Sequence, residues 1–207
     1  MARWAAQTPE DFHFIVKVHA DTTHKRENNG EELSELLDLL EPLRLEGKLK
    51  GLLAQFPASF HAESASESYL SSLAKRRGDI PFFVEFRHTS WDRDDPVELI
   101  RQLGFNWVTV DLPKIRSLMG IRPAVTHGIA YVRFHGRNSK TWYTPAAGDR
   151  YDYDYSEKEL REWLPRLQAL DARSEMSYLF FNNCHAGQAI KSAIILREIL
   201  RQQFEVL

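Results

Sequence analysis

Short runs of apolar residues alternate along the chain with segments in which apolar residues recur every three or four positions. The short runs are rich in β-branched and aromatic residues, which is typical of strands: Phe12–His19, Leu49–Phe56, Pro81–Arg87, Asn106–Asp111, Ile129–Gly136 and Ser177–Asn183. The periodic segments predict helices at 31–45, 64–77, 96–103, 156–170 and 185–207. Such an alternation of strands and helices indicates βα units and a parallel sheet.

The two faces of the predicted strands differ in character. In the third strand, Val84 and Phe86 lie on one face, whereas Glu85 and Arg87 lie on the other, and the first and fifth strands show the same pattern. An open sheet covered by helices on both sides favours two apolar faces. A barrel places apolar residues outward, beneath its helices, and accepts polar residues inward near its C-terminal mouth. The pattern therefore favours a TIM-like (β/α) parallel barrel, of which six of the eight strands are predicted.

Composition is that of a folded α/β domain. The 207 residues are 43% hydrophobic and 27% charged, and no linker or repeat divides them, so we expect a single domain over 1–207. The net charge of −2 argues against nucleic-acid binding through overall charge, although a local basic pocket stays open. Cys184 is the single cysteine, and no apolar run approaches the ~20 residues that cross a bilayer. We expect a cytoplasmic protein.

Polar side chains stand at the C-terminal end of every predicted strand, or just beyond it: Lys17, His19, Gln55, Glu85, Arg87, Asp111, Arg133, His135, Asn182 and Asn183, followed by Thr23, His24, Arg137 and His185. In a parallel barrel these ends meet at the mouth, where active sites lie. Charged groups there lose hydration and have to pair or bind something. The pattern predicts one charged pocket.

Positive charge exceeds negative charge in this set. Lys17, Arg87 and Arg133 oppose Glu85 and Asp111, and an excess of cations suits a phosphate or a carboxylate. An alternative is that Glu85–Arg87 and Asp111–Arg133 are internal salt bridges that close the top of the barrel.

Cofactor motifs are absent from the sequence. His24, Glu85, Asp111 and His135 could supply nitrogen and oxygen ligands to a metal, but no dense motif such as H-E-x-x-H is present. G-x-x-x-x-G-K-[ST] and G-x-G-x-x-G are missing as well. We therefore expect neither a metal nor a cofactor. Five further polar residues receive no functional role: His13, His61, His88, Ser90 and His127.

A long connection follows the fifth predicted strand, over 137–155, and it carries several aromatic residues: Trp142, Tyr143, Tyr151, Tyr153 and Tyr155. Long connections often cover a functional site, and aromatic side chains stack on sugars or bases. Packing over the barrel rim explains the same residues equally well.

Several stretches occur together in a characteristic order: Phe12 to Lys17 after Thr8-Pro9, Thr23-His24, Gln55-Phe56-Pro57, Glu85-Phe86-Arg87-His88, Tyr131 to Arg137, Tyr151 to Leu160, and Phe181-Asn182-Asn183. Together they resemble the family called domain of unknown function 72, or YecE-like, over essentially the whole chain. The resemblance implies a βα barrel without an established reaction. Its recurrent polar residues fall on Lys17, His24, Gln55, Glu85, Arg87, Asp111, Arg133, His135, Arg137, Asn182 and Asn183.

The start of the chain departs from this family. Its members open with a Gly-Thr-Ser-Gly-Trp strand and a second strand carrying Val-Glu and Asn-x-x-Phe-Tyr, whereas 1–9 resembles the end of the next helix. We therefore expect an incomplete barrel that lacks its first two βα units. The strands at 12–19 and 177–183 would then have open edges, which invite self-association.

Two functions follow from the pocket. The first is an enzyme acting on a small anionic compound or a phosphodiester, with Glu85, Asp111 and His135 as catalytic groups. Its ligand-binding residues would be Lys17, His24, Gln55, Arg87, Arg133, Arg137, Asn182 and Asn183. The second is a non-catalytic module that binds an anionic ligand or a nucleic-acid end. The sequence leaves open whether the protein is an enzyme.

Overall fold

The structure is a computed structural model that describes residues 1–27, 30–143 and 149–204. Its strands are β1 (Phe14–Lys17), β2 (Leu49–Gln55), β3 (Phe82–Glu85), β4 (Asn106–Asp111), β5 (Ile129–Phe134) and β6 (Met176–Phe181). Its helices are α1 (Ala2–Gln7), α2 (Gly30–Leu45), α3 (Ser64–Ala74), α4 (Asp94–Gln102), α5 (Glu157–Arg161), α6 (Leu164–Asp171) and α7 (Gln188–Phe204). The backbone contacts divide the chain into two compact units, Met1–Trp107 and Val108–Leu207.

The first unit is built on parallel strands that follow the order of the chain. β1 pairs with β2 and β2 with β3, in a register that places Lys17 opposite Leu53 and Gln55 opposite Glu85. The first two residues of β4 continue the sheet, since Asn106 lies opposite Phe83. This register brings the C-terminal ends of neighbouring strands, and the polar residues there, to the same edge.

Aromatic side chains form the core at that edge of the first unit. The rings of Phe86 and Trp91 stack at 3.9 Å between centroids, and Phe60 stacks on Trp91 at 5.5 Å. The Trp91 indole N–H donates to the Phe60 carbonyl at 2.7 Å, which satisfies the polar atom of this buried ring. The segments that follow β2 and β3 are thereby fixed to each other.

The second unit carries β4, β5 and β6, which are again parallel and in chain order. Val132 and Phe134 of β5 pack beneath the helices, in a cluster that includes Leu160, Trp163 and Leu196. The opposite face of β5 carries Tyr131, whose ring meets those of two residues of β6, Tyr178 and Phe180. In this unit the expected apolar face beneath the helices is confirmed.

The helix predicted over 156–170 is divided in two. Ser156 caps α5 as its sequence predicts, with Ser156 and Glu159 bonding each other's backbone N–H. α5 ends at Arg161, and Pro165 lies in the first turn of α6. A proline there has no N–H to donate to the Arg161 carbonyl, and its ring clashes with that carbonyl, which disfavours one continuous helix.

The prediction of an α/β fold with six parallel strands is confirmed. Strands and helices alternate as in a TIM-like barrel except between β4 and β5, where a loop over 112–128 takes the place of a helix. The number of units that a complete barrel would add stays a prediction. Among the described residues, no helix is both long and apolar enough to cross a membrane.

Candidate functional site

Lys17 and Gln55 lie at the ends of the neighbouring strands β1 and β2. The Lys17 ammonium donates to the Gln55 side-chain oxygen at 3.3 Å. Lys17 is exposed and Gln55 is half-buried, so both are accessible from solvent. The sequence placed both residues in the predicted set of ligand-binding residues, and the structure brings them into contact.

His24 follows β1 in a π-helical turn, Asp21–Lys25, and lies in a positive environment. Burial, together with the charges of Lys17 and Arg26, lowers the pKa of His24 below its usual value. The Thr23 hydroxyl lies 2.8 Å from Nδ1 of the ring and fixes its orientation. Two cations therefore act on one imidazole at this edge of the sheet.

Arg26 is a member of this group that the sequence prediction omitted. Its guanidinium lies over the Phe60 ring, 5.3 Å from the centroid, and donates to the Thr23 carbonyl at 3.0 Å. Arg26 itself adopts a left-handed backbone conformation, with φ of 61°, as it ends the turn. It is two positions from His24, but only the turn brings its charge back toward the ring.

Glu85 and Arg87 form an ion pair at the end of β3, with Nε of Arg87 2.7 Å from Oε1 of Glu85. Both side chains are buried, at 0% and 7% exposure. They are two residues apart, so they lie on the same side of the extended chain. The structure thus shows one of the two internal salt bridges that the sequence suggested as an alternative.

His88 and Ser90, which received no role from the sequence, belong to an ordered group after β3. Nδ1 of His88 accepts the Ser90 backbone N–H at 3.1 Å and lies 2.9 Å from the Ser90 hydroxyl oxygen. The His61 ring stacks on His88 at 3.9 Å. Burial and the neighbouring His61 lower the pKa of His88, which favours a neutral ring. Adjacency in the sequence did not reveal the contribution of His61.

Asp111, at the end of β4, is held by Arg137 and Trp163. Nε of Arg137 lies 3.0 and 3.1 Å from the two carboxylate oxygens, and Nη2 lies 2.8 Å from Oδ2. The Trp163 indole N–H donates to Oδ2 at 2.9 Å. Burial opposes the charge of Arg137, but its hydrogen bonds and its attraction to Asp111 raise the pKa above the usual value. The sequence suggested Arg133 as the partner of Asp111, and the observed pair is with Arg137.

Arg137 also approaches the carboxylates of α5 and the turn after it. Its Nη1 lies 3.5 Å from Glu159 and 3.4 Å from Glu162. Tyr153 donates its hydroxyl to Glu159. Burial raises the pKa of Glu159, but the bonds from Tyr153 and Ser156 outweigh it, so the pKa lies below the usual value. The charge of Arg137 is therefore balanced within the protein.

The strand-end residues of β5 and β6 also meet. His135 is fully buried, and the Asn182 side-chain nitrogen lies 3.1 Å from its Nδ1. The Asn183 amide donates to the Tyr153 carbonyl at 2.8 Å and to the Ser192 hydroxyl at 3.2 Å. Asn182 thus orients a candidate catalytic ring, whereas Asn183 ties the end of β6 to the 137–155 connection and to α7.

Gly136 shows how closely that connection packs. Its φ is 89°, and a Cβ built on it would lie 2.6 Å from the Cβ of Tyr153. Tyr155 is buried against the rings of Phe134 and Phe181, and its hydroxyl accepts the Gly136 N–H at 3.0 Å. Tyr153 and Tyr155 therefore pack against the end of β5. Residues 144–148 of the predicted cover lie outside the described part of the chain.

Arg133 lies on β5 with its backbone in register with Val110 and Phe180, and its side chain is half-buried. The metal set of His24, Glu85, Asp111 and His135 gains no support. Among the described residues, no three His, Cys, Asp or Glu side chains are grouped so that they could hold a metal ion.

Comparison with known proteins places this architecture in a family. The model of "Protein of unknown function DUF72" matches residues 1–207. The UPF0759 protein YunF of Bacillus subtilis (strain 168) is 31% identical over an alignment of 215 residues, which covers 96% of this chain and 76% of that protein.

Two crystal structures of DUF72 family proteins are also similar. The one from Thermotoga maritima MSB8 superposes with a TM-score of 0.91 at 38% identity, over 96% of this chain and 77% of that chain. The one from Enterococcus faecalis V583 gives a TM-score of 0.89 at 25% identity, over 97% of this chain and 78% of that chain. The match to the family model along the whole sequence, with the shared fold, shows that the chain belongs to the DUF72 family.

Proposed function

We propose that the strand-end residues bind a small anionic compound, a phosphate or carboxylate, and that the protein is an enzyme acting on that compound or on a phosphodiester. The observation that carries the proposal is the positive group of Lys17, His24 and Arg26. An imidazole whose pKa is depressed by burial and by two neighbouring cations lies in a positive potential. An anion placed there would relieve that repulsion, and its own charge would be neutralised.

Charge balance supports this location. Among the described residues, no carboxylate lies within ion-pair distance of Arg26, whose guanidinium is held over Phe60 and on the Thr23 carbonyl. Glu85 and Arg87, by contrast, compensate each other. Arg26 thus adds to the surroundings of His24 a positive charge that no carboxylate of the described residues pairs.

Proton transfer falls to Glu85 or His135 in this proposal. Both carboxylate oxygens of Asp111 accept hydrogen bonds from Arg137, and Oδ2 accepts a further bond from Trp163, which suits a carboxylate that orients its neighbours. His135 is buried beside Asn182, which can set its tautomer. Further residues would line the site: Arg87, Arg133, Arg137, Gln55 and Asn182. That all these side chains converge on one pocket stays a prediction.

A non-catalytic module is the second candidate. The closed pairs Glu85–Arg87 and Asp111–Arg137 favour it, because acids held in strong ion pairs transfer protons poorly. Turnover in a screen of phosphorylated and carboxylated metabolites would favour the enzyme. Saturable binding without turnover would favour the module, for an anionic ligand or a nucleic-acid end.

The anion site is tested by thermal unfolding with and without inorganic phosphate. Phosphate at ten times its Kd should stabilise the chain by about 1.4 kcal/mol, or roughly 3 °C in Tm. Lys17→Gln removes a cation from an exposed side chain, and Arg87→Ala and Arg133→Ala test the predicted anion-binding arginines. Each variant should lose most of the shift, relative to its own melting point without phosphate.

Lys25→Gln is the matched control for Lys17→Gln. Lys25 is an exposed lysine of the turn that carries His24, and it pairs with Asp21. It should keep the full phosphate shift. Retention of the shift in Lys17→Gln, Arg87→Ala and Arg133→Ala alike would place the anion elsewhere. A cytoplasmic location belongs to the same proposal, and the exposed free thiol of Cys184 fits a reducing compartment.

A further inference from the structure

A cavity of about 510 Å³ lies in the second unit, between the loop that follows β4 and the start of α6. The loop contributes Lys114 and Arg116 together with an apolar wall that includes Leu118 and Met119. Arg166 of α6 closes the opposite side. The volume lies within the range of pockets that hold small molecules.

Positive charge dominates the lining of this cavity. The lining includes two carboxylates, Asp111 and Glu162, and four cations: Lys114, Arg116, Arg137 and Arg166. Arg137 is bound to Asp111 and approaches Glu162, so these three groups largely balance one another. Among the described residues, no carboxylate lies within 4 Å of the charged groups of the other three cations. An excess of positive charge is therefore left around the cavity.

The cations sit on a structured frame. The guanidinium of Arg166 lies over the buried Trp163 ring, 5.8 Å from its centroid, and donates to the Glu162 carbonyl at 2.8 Å. In the loop, the Ile115 N–H donates to the Pro113 carbonyl at 2.8 Å and the Leu118 N–H to the Ile115 carbonyl at 2.9 Å. The Arg166 side chain is thereby held in place and loses little conformational entropy when a ligand binds, whereas for Lys114 and Arg116 it is the backbone of the loop that is held.

We propose that this cavity binds an organic anion, a phosphate or carboxylate attached to an apolar body. Lys114, Arg116 and Arg166 take the anionic group, and Leu118 and Met119, both buried, contact the body. The cavity shares Asp111 and Arg137 with the strand-end set. Its three anion-binding cations are different, since they come from the β4 loop and α6 and none belongs to the strand-end set.

The test uses phenyl phosphate and inorganic phosphate as probes in calorimetric titrations of the full chain. Phenyl phosphate should bind saturably and about tenfold more tightly than inorganic phosphate, because only its ring reaches the apolar wall. Arg166→Gln and Arg116→Glu should each weaken phenyl phosphate binding about tenfold, since each removes a charge-assisted contact.

Arg173→Glu is the matched control for Arg116→Glu, because Arg173 is an exposed arginine of the same unit outside the cavity. It should bind phenyl phosphate as the parent chain does. Lys17→Gln should also leave this binding unchanged, which separates the cavity from the strand-end site. Absence of saturable phenyl phosphate binding, or equal binding by the parent chain, Arg166→Gln and Arg116→Glu, would overturn the proposal.

Discussion

Individual charged residues at the strand ends are mostly neutralised by specific partners. Asp111 is 1% exposed and accepts hydrogen bonds from Arg137 and Trp163, and Glu85 forms an ion pair with Arg87. Removing one member of a buried ion pair leaves the other desolvated and uncompensated, which costs far more than loss of a surface pair. The residue scale therefore decides stability as well as chemistry in this protein.

Asp111→Asn should lower the free energy of unfolding by about 3 kcal/mol, because Arg137 loses its buried counter-charge while the side-chain volume is kept. Urea unfolding measures the change. Asp95→Asn removes an exposed partner of Arg93 and should alter stability by less than about 1 kcal/mol. Equal urea midpoints for Asp111→Asn and the parent chain would contradict the structural role given to this carboxylate.

His24 offers a second test at this scale. Its pKa should lie below 6.5 in the folded protein, because burial and the charges of Lys17 and Arg26 disfavour the protonated ring. NMR titration of the ring protons should show the pKa rising in Lys17→Gln, and rising again when phosphate binds. The affinity for sulfate, an anion that keeps its double charge over this range, should consequently increase as the pH falls from 8 to 6. A His24 pKa at or above 6.5 in the parent chain would remove the basis for the anion site.

At the element scale, the N-terminus of α5 anchors the charge network of the second unit. Glu159 completes the capping box with Ser156, accepts the Tyr153 hydroxyl and approaches Arg137. These favourable contacts of the ionised carboxylate lower its pKa. One side chain thus stabilises the helix, the preceding connection and the cation that holds Asp111.

Glu159→Gln should lower the free energy of unfolding by about 2 kcal/mol at pH 7, because charge-assisted hydrogen bonds become neutral ones. A carboxyl whose pKa is lowered on folding stabilises the protein above its unfolded pKa and ceases to do so as the pH falls through the folded value. The difference between Glu159→Gln and the parent chain should therefore shrink toward pH 3 in urea unfolding. Glu157→Gln, an exposed neighbour on the same helix, controls for helix charge, and a pH-independent difference would refute the assignment.

Considered as a whole molecule, the chain presents apolar side chains at sheet edges. β6 is the outermost strand of the second unit, and its residues Met176 and Phe180 are 44% and 40% exposed. Leu179 and Phe181 on the same strand are half-buried, and both line an apolar cavity of about 510 Å³ against α6 and α7. An outer strand with exposed apolar residues offers backbone and side-chain contacts to another chain.

We expect the purified chain to self-associate through such an edge in a concentration-dependent way, measured by light scattering. Phe180→Lys should shift the chain toward monomers, since a charged residue on an outer strand discourages strand pairing. Leu45→Lys, at an exposed apolar position at the end of α2, should change the oligomeric state little. A monomer at all concentrations would show that the edge is not an interface.

Much of the architecture followed from local patterns in the sequence. The six strands and the approximate positions of most helices were predictable because apolar periodicity reflects which side of an element is buried, and a face such as that of Val132 and Phe134 is encoded within a few residues. The Ser156–Glu159 cap was predictable for the same reason, since both partners lie within one helical turn. The resemblance to the DUF72 family, too, depended on short motifs in order.

Partnerships between distant residues were decided only by the tertiary structure. Asp111 pairs with Arg137 and Trp163, and Arg26 turns back toward His24. The path of the backbone and the side-chain conformations bring these groups together, and the spacing of the residues in the sequence predicts neither. The cavity behind the β4 loop arises likewise from a loop without periodicity meeting α6. The sequence determines which side chains lie at the ends of the strands. Which charged groups form ion pairs is decided only by the tertiary structure, since ion pairs depend on distances of a few ångströms.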